Sequence, residues 1–441
     1  MSSFEHWLRS SAHRLRTVDP DEQDDDDLEP LLDIIGDARV VAIGESMHRM
    51  HEFLQVRHRV FRFLARRAGF TALVMESGMP EGALVDRWIR TGEGRLRDVL
   101  ADGIGYRFGA CQEMLDQVTW MREQHVRGTV PVRFAGMDIP DSSASVLPAA
   151  QAAIALLDDA DPHYAAHLRS TLLPLFSYLP ADRTGLAQAA PAIQSYLALD
   201  AAVQHEITVA LTDLVARMRA RRPDMIASLG GANAAEERVR FGIRAAESAQ
   251  AGDAFLHAMV SAPSRTWPAA NIRDVWMADS VEWVLEREPR VLVAAANGHV
   301  QRTPFSAPPF VPEPMTTLGG HLADHLGTDY VAIGTAFGHG DAWLHRPRPD
   351  DVPGHSHPFV QPLGAPDPAS ADAAFSAAGI GDLLIDLRTA PPEAASALDR
   401  TVGLRNGDVL QPLPIREAFD AIAYIDEVTP WHTWIDENGL A

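Results

Sequence analysis

The stretch Ala38–Arg67, ARVVAIGESMHRMHEFLQVRHRVFRFLARR, decides the fold. Its opening, Ala38 to Gly44, is a short apolar run rich in β-branched residues that ends at Gly44-Glu45, the pattern of a buried strand. From Glu52 to Arg67 the apolar residues Phe53, Val56, Val60, Phe63 and Leu64 fall at spacings of three and four, the stripe of an amphipathic helix. Runs like the first recur at Thr71–Glu76, Val132–Asp138, Arg290–Ala296, Tyr330–Gly334, Leu383–Leu387 and Ala421–Ile425. Strands alternating with helices predict an α/β fold: a mostly parallel sheet flanked by helices, with ligands bound outside the carboxyl ends of the strands.

Between 142 and 261 the pattern changes to long Ala- and Leu-rich helical segments with breaks near Pro180, Pro191, Pro223 and Gly230, which predicts a large helical insertion. The expected organisation is a first part of the core at 1–141, the insertion at 142–261, and the rest of the core at 262–441. Two Pro-rich stretches, Thr303–Pro314 and His345–Pro368, read as loops. The acidic run Glu22–Glu29 reads as a solvated linker.

Of the 441 residues 46% are hydrophobic and 22% charged, the composition of a folded globular chain. The net charge of −22 disfavours nucleic acid and anionic lipid, so a small-molecule substrate is the expected partner. No lysine occurs anywhere, which removes Schiff-base chemistry and P-loop phosphate binding. Cys111 is the sole cysteine, and neither a signal-like N-terminus nor a membrane-length apolar run is visible; the expected location is the cytoplasm. Neither G-x-G-x-x-G nor G-x-S-x-G is present. Cys111 reads as a small buried thiol, Trp267, Trp276 and Trp283 as core, and His355 and His357 as polar loop residues.

The informative segment is Gly44–Phe53. A carboxylate and an imidazole three residues apart on the turn, Glu45 and His48, can pair, which orients the ring and prepares it to accept a proton from water. Arg57, a turn into the helix, offers a bidentate donor to a carboxylate or a developing oxyanion. Glu76 ends the next strand and projects to the same edge of the sheet, as does Asp138, which either faces the pocket or caps the following turn.

These elements, G-E-x-x-H with Glu52-Phe53, the helix carrying Arg57 and the strand ending in Glu76, resemble the erythromycin esterase family, hydrolases that open macrolide lactones, together with biosynthetic relatives. The resemblance continues in Arg273-Asp274 with Met277-Ala278, in Asn297-Gly298-His299, in Leu318–Leu322, in Tyr330–Gly334 and in Phe419–Ile422. It implies an α/β core with a helical insertion. It also makes His48 the general base, oriented by Glu45, with Arg57, Glu76 and His299 lining the pocket and no covalent intermediate. Asp138, Asn297 and Arg273 are the expected substrate-binding residues. Two positions depart from the family pattern: Ala296 replaces the first histidine of H-N-x-H, and Arg49 stands where glycine is usual.

The expected function is therefore hydrolysis of an ester or lactone of a bulky natural product by His-activated water, with no cofactor. A biosynthetic relative would use the same base for acyl transfer, cyclisation or elimination, a reading that Ala296 motivates. A divalent metal held by two histidines and two carboxylates is a further alternative, and sequestration without turnover another.

Overall fold

The computed structural model describes residues 3–180, 189–261, 269–308, 311–348 and 356–437. Its strands are β1 (His13–Arg14), β2 (Val40–Glu45), β3 (Ala72–Gly78), β4 (Arg133–Asp138), β5 (Val291–Ala296), β6 (Phe305–Ala307), β7 (Val311–Met315), β8 (Tyr330–Arg346), β9 (His357–Leu363), β10 (Leu383–Asp386), β11 (Gly403–Asn406), β12 (Val409–Pro412) and β13 (Ala421–Val428). One sheet runs in the order β1-β10-β13-β8-β2-β5-β3-β4, with β9 paired to β8. From β13 to β4 all neighbours are parallel, while β10, β1 and β9 pair antiparallel at one side. The architecture is thus α/β, with a mostly parallel sheet flanked by helices.

Strands β2, β3 and β5 are buried on both faces, and alternate residues serve different layers. Val41 and Ile43 of β2, Leu73 and Met75 of β3, and Leu292 and Ala294 of β5 pack with Val56, Val60 and Phe63 of the helix His51–Arg67. Val40, Ala42, Val74, Val291 and Val293 pack on the other side with Met277 and Val281 of the helix Ala270–Leu285. The chain skips a place between β2 and β3, and β5 fills that gap after the helical region. Glu45 consequently lies in register with Ala296, and Met75 with Ala294.

The described residues from Leu147 to Val260 are mostly helical, and Ile154, Leu157, Leu211, Leu214 and Val239 form an apolar cluster of their own. No helix among the described residues is long and apolar enough to cross a membrane.

Three readings of the sequence change. β8 continues past Gly334 to Arg346 because β9 pairs along its far half, from Gly340↔Leu363 to Arg346↔His357. The stretch read as the loop His345–Pro368 therefore contains a strand, whose Pro358 and Pro362 share one parity of an edge strand, the placement that leaves a ladder intact. Thr303–Pro314 likewise carries the β6–β7 pair. The acidic run is docked in part: Asp27 takes Arg59 at 2.6 and 3.0 Å and Asp25 takes Arg66, while Asp24 and Asp26 are exposed. The helix His51–Arg67 is buried around most of its girth, so arginines that would otherwise face water need carboxylates against them. Trp267 and His355 lie outside the described residues.

Strand β4 approaches β3 so closely that a Cβ at Gly136 would lie 2.2 Å from the Gly78 carbonyl oxygen and 2.7 Å from that of Ser77. Backbone cannot yield as a flexible side chain does. Gly136→Ala is expected to lower unfolding stability by about 1–3 kcal/mol or more in urea titrations, and an unchanged midpoint would contradict this packing.

Candidate active site

Glu45 has the parity of Val41 and Ile43, so it points toward the helix His51–Arg67, and that helix supplies its partner. Arg57 Nη1 donates to Glu45 Oε1 at 2.9 Å, with Arg57 only 1% exposed. Its other terminal nitrogen meets Gln117 Oε1 at 3.2 Å and Met114 Sδ at 2.8 Å on the helix Gln112–Arg127. The second oxygen, Glu45 Oε2, lies 3.0 Å from His48 Nδ1. A carboxylate accepts, so Nδ1 is the donor, and in the neutral ring the lone pair lies on Nε2. The His48 side chain is 31% exposed and packs beside Phe108, ring centroids 4.7 Å apart.

Glu76 has the parity of Val74 and belongs to the opposite layer, where the helix Ala270–Leu285 provides Arg273. Arg273 Nη2 reaches Glu76 Oε1 at 2.7 Å and Asp138 Oδ2 at 2.6 Å, and its Nε reaches Asp138 Oδ1 at 2.9 Å. The Ala296 backbone N–H donates to Glu76 Oε2 at 3.0 Å. Burial alone would push the Glu76 carboxyl up, but the charges of His299 and Arg273 and the Ala296 N–H outweigh it and hold the group at about 2. His299 Nδ1 lies 3.0 Å from both oxygens of fully buried Asp274, and its Nε2 lies 3.6 Å from Glu76. Burial opposes charge on this imidazole, yet Asp274 and Glu76 outweigh burial and raise its pKa.

Between these two groups lies a narrow cleft, lined among others by Glu45, His48, Arg49, Arg57, Glu76, Phe108, Ala295 and Trp431. Four of the expected catalytic residues, Glu45, His48, Arg57 and Glu76, thus border one space. His299 and Arg273 stand behind Glu76. Asp138 is fully buried under Arg273 and Tyr106, whose hydroxyl is 3.2 Å away. Asn297 is turned elsewhere: its amide brackets the Thr335 backbone, accepting from N–H at 3.0 Å and donating to the carbonyl at 2.8 Å. That bracket packs against Gly44, where a Cβ would lie 2.1 Å from Asn297 Oδ1.

Sequence reasoning missed Tyr106, Phe108 and Trp431, which carry no spacing signal, and the role of Asp274 as the partner of His299. Cys111 is buried, and burial pushes its thiol up, away from nucleophile chemistry. The donor set of two histidines and two carboxylates considered for a metal divides between the two groups just described. Among the described residues, the donors that cluster are instead His51, Glu113 and His432.

A family model described as Erythromycin esterase matches residues 65–428. The chain belongs to the erythromycin esterase family. This is a family of ester hydrolases, and the chain is an enzyme of that type. It is similar to the erythromycin esterase type II of Escherichia coli, 28% identical with 96% of this chain and 97% of the relative covered. The type I enzyme of Escherichia coli is 23% identical, covering 92% of this chain and 95% of the relative. Among solved structures, a Bacillus cereus protein superposes with a TM-score of 0.79 at 22% identity over 98% of both chains. A mutant of the erythromycin esterase EreC in its open conformation gives 0.77 at 19% identity, over 97% of this chain and 99% of that one.

In this esterase-family chain the segment after β13 is strapped across the cleft. Glu52 takes the N–H and hydroxyl of Thr429, each at 2.7 Å. Glu113 takes His51 Nδ1 at 2.6 Å, His432 Nδ1 at 2.8 Å and the His432 N–H at 3.0 Å. Burial would push Glu113 up, but hydrogen bonds from His51 and the His432 backbone hold it at about 2. The Glu113 hydrogen bond in turn raises His51.

Two outcomes follow from this geometry. Arg57→Met strands the Glu45 carboxylate without its cation and is expected to cost about 3–5 kcal/mol in chemical denaturation, whereas a neutral result would mean that the pair contributes nothing. Glu113 has a folded pKa below its ordinary 4.5, so its contribution is complete above that pH and disappears as pH falls toward 2. His51 is raised above its ordinary 6.5, so its contribution is complete below that pH and disappears as pH rises through the folded value. The stability gap between wild type and Glu113→Gln should therefore be widest between pH 4.5 and 6.5; a gap flat across pH 3 to 9 would contradict the strap.

Proposed function

We propose that this chain hydrolyses an ester, opening the ester or lactone of a bulky natural product with water activated by His48. The observation that supports it best is a histidine at the edge of the cleft whose Nδ1 is held by Glu45, itself held by buried Arg57. In this reading His48 Nε2 takes a proton from water as the oxygen attacks the carbonyl carbon, producing a tetrahedral oxyanion and an imidazolium. Collapse breaks the bond to the alcohol oxygen, which leaves with the proton carried by His48. The products are a carboxylic acid and an alcohol, and no acyl-enzyme forms. Glu76, kept ionised, accepts a hydrogen bond from the attacking water or a substrate hydroxyl. Arg273, with His299 beside it, offsets negative charge that develops on the ester. Glu45, Arg57 and Asp274 act as positioning residues. The substrate class is taken from the relatives named erythromycin esterases.

The proposal includes no metal. Glu45 and Glu76 are each paired with an arginine, and a divalent ion at either would have to displace a guanidinium. Turnover should survive EDTA, and elemental analysis of protein purified without chelator should find no stoichiometric zinc or manganese; loss of activity on chelation, restored by the ion, would overturn this.

Wild type and His48→Ala incubated in parallel with macrolides and other lactones should differ in mass spectrometry by one added water that only the wild type produces. The variant should lose about 100-fold or more in rate while keeping its unfolding midpoint. Turnover retained by His48→Ala would remove this base from the mechanism.

A further inference from the structure

Two carboxylates line the cleft and two more lie buried behind Glu76, and each has a cationic partner: Glu45 has Arg57 and His48, Glu76 and Asp138 share Arg273, and Asp274 has His299. Arg49 also lines the cleft and pairs with none of them. Among the described residues its guanidinium makes one hydrogen bond, from Nη2 to the Tyr106 carbonyl at 3.3 Å, and its buried Nε has no partner. It is caged instead by aromatic rings, its central carbon 5.3 Å from the centroids of both Phe108 and Trp343 and 5.9 Å from that of Trp431. Ring faces offset part of the cost of desolvating the charge, but they do not satisfy the planar fork of N–H donors. Burial pulls the group down to about 10, against the charge of Glu45, so it remains a cation at neutral pH.

The backbone adds a second observation. Arg49 has φ +66°, a left-handed conformation in which glycine would be unstrained. A bulky residue in that conformation is favoured where the surrounding structure or a ligand compensates for it. The cage is also assembled from three distant places in the chain: Phe108 before the helix Gln112–Arg127, Trp343 in the far half of β8, and Trp431 on the strap that Glu113 and Glu52 secure. His48 packs against the same Phe108 ring, so the cation and the base border one wall of the cleft.

We propose that Arg49 forms a subsite for a carboxylate on the substrate, so that the ester this enzyme takes carries one anionic group beside an apolar or aromatic body. The inference rests on the hydrolytic reading for the word ester, but the subsite itself does not depend on turnover. The fork of Arg49 would receive the carboxylate in the plane of its unpaired N–H groups, with Phe108, Trp343 and Trp431 shielding the pair from water. Docking the anion there leaves the ester free to reach His48.

The test has two arms at neutral pH. In the first, benzoate is titrated calorimetrically into wild type, Arg49→Gln and Arg49→Lys. Wild type should bind, Arg49→Gln should bind about tenfold or more weakly, and Arg49→Lys, which keeps the charge without the fork, should fall between them. In the second, para-acetoxybenzoate is compared with its methyl ester, which differs chiefly in charge. Wild type should favour the anion by about tenfold or more in kcat/KM, mainly through KM, and Arg49→Gln should bring that ratio to about one. Benzoate that fails to bind wild type, or binds Arg49→Gln equally well, overturns the subsite. Hydrolysis of both esters with a ratio indifferent to Arg49 overturns it too and leaves the hydrolytic reading standing. Arg49-dependent benzoate binding with neither ester turned over supports the subsite and counts against hydrolysis.

Discussion

A carboxylate buried at the end of a parallel strand stays ionised only if a cation is fixed against it, and this requirement organises the molecule around its cleft. Glu45 is supported by Arg57 and Glu76 by Arg273, each arginine coming from the helix that covers the face toward which its carboxylate points. The two ion pairs lie on opposite layers of one sheet, so the helices on both sides are tied to the same functional edge. His48 and His299 then take their settings from these pairs and from Asp274. Removing either arginine would disturb a charge before it disturbed a shape.

Topology supplies the space between them. Strand β5 enters between β2 and β3 only after the long helical region, and it brings Ala294 and Ala295, small side chains that line the cleft together with Glu45 and Glu76. The Ala296 N–H braces Glu76, while Asn297, one residue on, takes hold of the Thr335 backbone just past the last β2–β8 pair at Ile43↔Ile333. The other wall comes from Phe108 and from Trp431 on the strap, with Trp343 packed against Trp431. The Glu45–His48 pair, Glu76 and the aromatic wall are thus separate in sequence and meet at one edge of the sheet.

Much of this was legible in the chain. Each of the seven apolar runs forms a strand, because a strand buried on both faces must be apolar throughout, and the carboxylates stand out where such a run stops. The pairing of Glu45 with His48 follows from their spacing on one turn. The docking of part of the acidic run escapes the sequence because a stripe of apolar residues at helical spacing predicts one buried face, whereas this helix is covered around most of its girth and its arginines meet Asp25 and Asp27. The prolines of β9 concealed a strand because an edge tolerates residues that an interior strand does not.

By itself the sequence determined the α/β class, the carboxylates at the strand ends, and the pairing of Glu45 with His48, since periodicity and near-neighbour spacing are local properties. Only the tertiary structure decided that Glu45 and Glu76 point into opposite layers, that Arg57 is enclosed and holds its carboxylate, that Asn297 belongs to a strand bracket, and that Arg49 is caged without a carboxylate of its own. Each of these depends on which distant segment arrives beside a given atom, and long-range contacts of that kind leave no trace in the spacing of residues along the chain.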